Sequence, residues 1–252
     1  MPTLIFNFKT YVGAEKALRA ASRIAALGSR FEVVIAPPQI SIYAMSSKLR
    51  GAGVSLCAQG FDYSESRGAH TGDVSIEDLK DAGCRYAIIG HSEARHRHAP
   101  RCGESDSLIA MKMRSCIDHG ITPVLCLGEG AAEKRAGKSA LSISRQFRSA
   151  TSLLKKSEIE RITLAYEPIW SISSSENAEP CSIEHVSIAL QSIKKAAGNA
   201  RMRRFLYGGS VDHRNIMYYL SSGIVDGVLI GRAGTDSSEF ERIYRSLSIY
   251  GR

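Results

Sequence analysis

Glu167 closes an apolar run, ITLAYEPIW from Ile162, and stands directly before Pro168. A residue before proline is biased to extended backbone, so this carboxylate keeps strand-like geometry while its side chain reaches past the end of the strand. The stretch that follows, SISSSENAEP, is polar and regains helical spacing only near Ser182, which leaves Glu167 at the root of a loop. Two Gly-rich stretches, YGGS from Tyr207 and IGRAG from Ile230, form a second set. Glycine lets backbone amides approach an anion closely, so together they have the composition of a phosphate cradle. Lys9 and His91 add an ammonium and an imidazole. Each has a plainer account when taken alone: Glu167 paired with a lysine, Lys9 a solvated charge, His91 a structural histidine, Gly-Gly a generic turn.

What favours the chemical account is the set of elements that would hold these residues. Short β-rich runs recur at 3–8, 32–36, 54–58, 86–89, 122–127, 162–166, 204–207 and 227–230. Segments with helical spacing lie between most of them, among them AEKALRAASRIAALG, SLIAMKMRSCIDHG and SIEHVSIALQSIKKAAG, several closed by a glycine suited to a helix C-terminus. Such alternation argues for a parallel sheet, and eight units in 252 residues predict an α/β fold: one (β/α)8 barrel, eight parallel strands ringed by helices, as a single domain spanning 1–252. Asn7 and Lys9 then end the first strand, Gln59 the third, His91 and Glu93 the fourth, Cys126 and Glu129 the fifth, and Glu167 the sixth. Gly208, Gly209 and Ser210 end the seventh strand, Gly231 and Arg232 the eighth. All fall on one rim, the C-terminal one, where barrel active sites are built and where a phosphate site after strands seven and eight recurs.

Composition excludes several other classes. Hydrophobic content of 44% and charged content of 23% are ordinary for a globular protein, and no apolar run approaches the roughly 20 residues of a membrane span. Six cysteines form no Cys-x-x-Cys pair, which predicts reduced, mostly buried thiols and a cytoplasmic chain. The net charge of +8 is scattered without an aromatic-basic stripe, which argues against nucleic acid and suits a small anionic substrate.

Seven stretches in order resemble the triosephosphate isomerase family nearly end to end. NFK from Asn7 resembles its Asn-x-Lys, GAHTGDVS from Gly68 its Gly-Ala-x-Thr-Gly-Glu-x-Ser loop, and IGHSEAR from Ile89 its Ile-Gly-His-Ser-Glu-Arg-Arg. GESD, LCLGE, AYEPIW and YGGSV match four further landmarks. The resemblance implies interconversion of dihydroxyacetone phosphate and D-glyceraldehyde 3-phosphate through an enediolate, a glycolytic and gluconeogenic step needing a base and an electrophile but no cofactor or metal. It implies Glu167 as the base and His91 as a neutral imidazole that polarises the carbonyl, at the start of a short helix whose dipole disfavours imidazolium. Lys9 would stabilise the enediolate oxygen, with Asn7 orienting it and Glu93 positioning it through a hydrogen-bonded pair. Ser173, Gly209, Ser210, Gly231 and Arg232 would hold the phosphate, and Cys126 would pack rather than attack. A homodimer is implied too, the 61–72 loop carrying Thr71 into the neighbouring subunit beside the Asn7–Lys9 strand.

The chain departs from the family at Ala94, which stands for the first arginine of the Ser-Glu-Arg-Arg stretch, and at three further places. Ser173-Ser174-Ser175 stand where the family has Gly-Thr-Gly, Arg232 replaces the second glycine of the eighth loop, and HRHAPRC from His96 makes that connection about four residues longer. His96, His98 and Cys102 do not have zinc spacing. Two other functions remain open on sequence: isomerisation of a related phosphorylated ketose such as a tetrulose phosphate, and phosphate binding without catalysis.

Overall fold

The computed structural model of the protein describes residues 1–27, 30–63, 67–96, 103–172 and 180–250. Eight strands, β1 (Thr3–Asn7), β2 (Glu32–Ala36), β3 (Val54–Ala58), β4 (Cys84–Ile89), β5 (Thr122–Leu127), β6 (Thr163–Tyr166), β7 (Arg204–Tyr207) and β8 (Gly227–Ile230), close into a barrel in sequence order. Every ladder is parallel, and β8 returns to β1 with Thr3 opposite Gly227. Around them lie α1 (Ala14–Ile24), α2 (Ile42–Lys48), α3 (Ile76–Asp81), α4 (Ser92–Arg95), α5 (Asp106–His119) and α6 (Ala131–Arg135). The ring continues with α7 (Ser139–Ala150), α8 (Lys156–Ile159), α9 (Ile183–Ala196), α10 (Ile216–Leu220) and α11 (Ser237–Ser248). The (β/α)8 architecture expected from the strand-helix alternation is the one found.

Local signals set the helix limits. Ser105 and Ser182 cap α5 and α9 with their hydroxyls, accepting from the Leu108 and His185 N–H groups, and Gly120 closes α5 in the left-handed region at φ 74°. The helical stretch from Ala14 tightens at its end into a 3-10 turn, Ala25–Leu27. β1 stops one residue earlier than the apolar run suggests, because the ladder ends at the Asn7–Ala36 pair and Lys9 leaves extended geometry.

Side chains alternate across the barrel wall with the period of two that a strand dictates. Ile5, Val34, Cys57, Tyr86, Val124, Cys126, Ala165, Leu206 and Leu229 fill the interior, while Leu4, Phe6, Ile35, Leu125, Tyr166, Tyr207 and Val228 pack outward against the helices. Extending the inward set by two residues at each C-terminal strand end leads to Asn7 and Lys9, Gln59, Gly128, Glu167, Gly208 and Gly231. Strand periodicity therefore selects the residues that meet on the rim. The described cysteines, Cys57, Cys84, Cys116, Cys126 and Cys181, are free and buried; Cys102 lies outside the described residues. No helix among the described residues is long and apolar enough to cross a membrane.

The opposite end of the barrel is closed by a polar plug. Glu32 accepts from the Tyr86 hydroxyl at 2.7 Å, the Thr3 hydroxyl at 2.7 Å and the Arg203 guanidinium at 3.1 Å. Burial alone would raise the Glu32 pKa; the hydrogen bonds from Tyr86, Thr3 and Arg203 outweigh it and hold the carboxyl below 4.5. A depressed native pKa contributes stability that is present above the unfolded value and lost as pH falls through the native one. Glu32→Gln is expected to lower stability at pH 7 by about 1 kcal/mol, the partners being partly solvent-screened. In urea titrations the gap to the parent should close as pH falls below 4.5; a gap that does not change with pH would contradict this account.

Candidate active site

Lys9 is the strained residue of the rim. Its φ of 46° lies in the left-handed region, which costs a non-glycine residue about 1 kcal/mol or more. Three contacts hold it there. Its N–H donates to Asn7 Oδ1 at 3.1 Å, its carbonyl accepts from Gln59 Nε2 at 3.0 Å, and its ammonium pairs with Glu93 Oε1 at 2.7 Å. The Lys9–Glu93 pair expected from the sequence is present, with Glu93 half exposed and Lys9 mostly covered.

His91 reaches the site by a different route. Alternation in β4 would put residue 90 on the inward side, but Gly90 turns left-handed at φ 67°, where a Cβ would stand 2.7 Å from the Arg95 guanidinium. The chain swings so that His91 caps α4, its Nδ1 accepting from the Glu93 N–H at 3.1 Å. In a neutral ring that leaves the single proton on Nε2. This nitrogen lies 3.5 Å from Glu167 Oε2. Arg95 braces the corner by donating to the Gly90 carbonyl at 2.7 Å and pairing with Asp106 at 3.1 Å.

Glu167 is buried. Oε1 accepts from the Cys126 thiol at 3.4 Å, and Oε2 is buried and accepts no hydrogen bond among the described residues. Burial pushes its pKa above the ordinary 4.5, against the lowering effects of His91 and Lys9. Cys126 stays a thiol: burial, then the neighbouring Glu167 charge, raise its pKa well above the ordinary value, so it donates rather than attacks. Gly208 supplies room for the carboxylate, since a Cβ there would stand 2.7 Å from Glu167 Cγ and 3.1 Å from Oε1.

The exit of β6 is fastened outside the barrel. Glu129, on the outward parity of its strand, is fully buried and accepts from Trp170 Nε1 at 2.9 Å and from the Tyr166 hydroxyl at 3.1 Å, with His185 Nε2 at 2.9 Å. It shares the rim with Glu167 but faces the helix layer, where it fixes both sides of the Glu167-Pro168 step. Lys134 stands 3.5 Å from the Trp170 ring centre.

Lys9 and His91 open onto a cavity of about 680 Å³ whose lining includes Gly209, Ser210, Gly231 and Arg232. Ser210 is tied to Ser171, whose carbonyl accepts both its N–H at 3.1 Å and its hydroxyl at 2.8 Å, while Asn215 Nδ2 donates to the Ser210 carbonyl at 2.7 Å. Gly209 is required by its neighbour, because a Cβ would stand 2.1 Å from the Tyr207 hydroxyl. The fold thus brings together Asn7, Lys9, His91, Glu93, Glu167, Gly209, Ser210, Gly231 and Arg232. Ser173, Ser174, Ser175, His98 and Cys102 lie outside the described residues. Thr71 is exposed on the segment that leads to α3. Sequence reading does not single out Ser171, Asn215 or Arg95, of which only Arg95 has a signal, in the IGHSEAR stretch; Gly208 stands on the rim as expected.

A cavity lined by Gly209, Ser210, Gly231 and Arg232, with an imidazole and an ammonium on its wall and a buried carboxylate behind them, fits what known proteins of similar sequence are called. The chain is 37% identical over 217 residues to a triosephosphate isomerase of Aquifex aeolicus, a match covering 85% of each chain. It is 35% identical over 257 residues to one of Roseiflexus sp., covering 99% of each. The crystal structure of triosephosphate isomerase from Bartonella henselae superposes with a TM-score of 0.81 at 29% identity, covering 98% of this chain and 99% of that one. A family model described as triosephosphate isomerase matches residues 2–247, and with relatives this similar over nearly the whole length, the chain belongs to the triosephosphate isomerase family.

Proposed function

We propose that the protein interconverts dihydroxyacetone phosphate and D-glyceraldehyde 3-phosphate, with Glu167 as the base. Glu167 Oε2 takes a proton from the carbon beside the carbonyl, and the C–H electrons become the double bond of an enediolate. His91 Nε2–H and the Lys9 ammonium stabilise the negative charge that develops on oxygen. The protonated Glu167 returns its proton to the neighbouring carbon, and one proton moves between the two oxygens. Asn7 and Glu93 keep Lys9 in its strained position, and the amides of Gly209 and Gly231, with Arg232, hold the phosphate, Ser210 joining them when its N–H leaves the Ser171 carbonyl. The observation that carries this reading is the buried Glu167 oxygen without a hydrogen-bond donor, 3.5 Å from His91 Nε2. A coupled assay with D-glyceraldehyde 3-phosphate tests it, run in competition with a tetrulose phosphate. Turnover of the triose with the higher kcat/KM supports the reading; preference for the tetrulose, or no turnover of either, would remove it.

The pH profile follows from the burial of Glu167. The base is active when ionised, and a raised pKa moves its protonation to higher pH, so the acid limb of kcat/KM should have its midpoint above 4.5. A midpoint at or below that value would contradict a buried base.

We also propose a cytoplasmic homodimer. Supporting it, Ile40 and Tyr43 are 89% and 77% exposed on the chain that follows β2, and Tyr11 is 47% exposed after the adjacent β1. These strand ends neighbour the segment bearing Thr71, whose base is fixed by ion pairs of Arg67 with Asp78 and Asp81. Apolar side chains so exposed on neighbouring loops fit burial against a second copy. Sedimentation at micromolar concentration should give a dimer for the parent and a weakly active monomer for Tyr43→Glu. A fully active monomeric parent would end this part of the proposal.

A further inference from the structure

Lys16, Arg19 and Arg23 recur at i, i+3 and i+7 along α1, which puts them on one stripe beside the buried stripe of Ala17, Ala21 and Ile24. The basic stripe lines a second cavity, about 640 Å³, whose other wall is the turn after β8 and the first turn of α11, from Arg232 to Ser238. Arg19 pairs with Glu15, an exposed contact of small energetic weight. Lys16, Arg23 and Arg232 have no carboxylate within ion-pair distance among the described residues. Asp236 is the only acid among the described lining residues, and it is already engaged as the cap of α11, accepting from the Glu239 N–H and the Ser238 hydroxyl, each at 2.8 Å.

Like charges three and four residues apart on a helix repel, so this stripe works against the fold unless something neutralises it. Four cations against Asp236 and the Glu15 carboxylate that holds Arg19 leave two formal positive charges, and Lys16 and Arg23 stand seven residues apart, about 10 Å along the helix, a span that linked phosphates bridge better than one. The groove is also continuous with the catalytic side of the molecule, because Arg232, Asp236 and Ser238 line both cavities. We infer that the groove between α1 and the turn after β8 binds a polyphosphorylated small molecule, at a site separate from the catalytic cradle and joined to it through Arg232. Occupants of the two cavities share one guanidinium, so each weakens the other's binding, and reciprocity requires the same factor in both directions.

Inorganic pyrophosphate is the probe, titrated calorimetrically into the full chain with the catalytic cradle saturated by a phosphorylated two-carbon acid that mimics the enediolate. One equivalent per chain is expected to bind, more weakly as salt is raised. Lys16→Ser together with Arg23→Ser should weaken it at least tenfold, with a melting temperature at or above the parent's confirming the fold. Pyrophosphate that binds only when the mimic is absent, or that binds the double variant as tightly as the parent, would overturn the inference. The readout is binding rather than turnover, and titration of the mimic alone reports on the catalytic cradle, so failure of this inference and failure of the isomerase reading remain distinguishable.

Discussion

Glu167→Asp is expected to fold like the parent and to lose at least about a hundredfold in kcat, since withdrawing the carboxylate by one methylene displaces the base by more than 1 Å from its proton. Little compensation is available. Pro168 restrains the backbone behind it, the Ile169 N–H is held by the Glu129 carbonyl at 3.0 Å, and Glu167's own N–H is held by the Leu127 carbonyl at 2.7 Å, so the main chain cannot advance to make up the difference. KM should change far less than kcat, because the phosphate cradle lies on β7 and β8 and contains no part of Glu167. Glu167→Gln separates chemistry from folding. A carboxylate whose native pKa is raised adds stability only while protonated, and that contribution is lost as pH rises through the native value. The amide should therefore abolish turnover and melt higher than the parent at pH 7, the difference shrinking as pH is lowered. A glutamine variant less stable than the parent at pH 7 would mean that the ionised carboxylate is well solvated or well paired, against the account of a buried base.

Gly208→Ala should damage catalysis through a residue with no chemistry of its own. The added methyl would meet Glu167 Cγ at 2.7 Å and Oε1 at 3.1 Å, and the side chain, being the movable partner, gives way. Residue 208 is not in the left-handed region, so the backbone accepts alanine and the loss of stability should stay within about 1–2 kcal/mol. A displacement of the carboxylate approaching 1 Å should cost roughly tenfold to a hundredfold in kcat. A crystal structure of the variant would show Glu167 turned from its parent position. Parent-level kcat with Glu167 displaced would mean that the carboxylate is not the base.

These two residues also mark the limit of what the sequence disclosed. The barrel was legible because strand and helix periods alternate, and the rim because inward parity carries Asn7, Lys9, Glu167 and Gly231 to one end. His91 breaks that parity through Gly90, and its place was legible from the motif around it rather than from periodicity. Gly208 was legible as a rim glycine of the YGGS stretch but not as the residue that makes room for Glu167, since that space is defined by a side chain 41 positions earlier in the sequence. Glu129 stood on the expected rim, yet one step of parity turns its carboxylate away from the cavity and onto Trp170, Tyr166 and His185. The left-handed backbone of Lys9 had no signal, because lysine avoids that region and only the contacts with Asn7, Gln59 and Glu93 hold it there.

The most direct measurement is proton NMR of dihydroxyacetone phosphate incubated with the protein in heavy water. A carboxylate that removes a carbon-bound proton, holds it and returns one to the adjacent carbon predicts deuterium in the recovered triose phosphates at the carbons beside the carbonyl, and none above background with Glu167→Gln. Absence of deuterium with the parent protein, or incorporation that persists in Glu167→Gln, would contradict Glu167 as the base of this site.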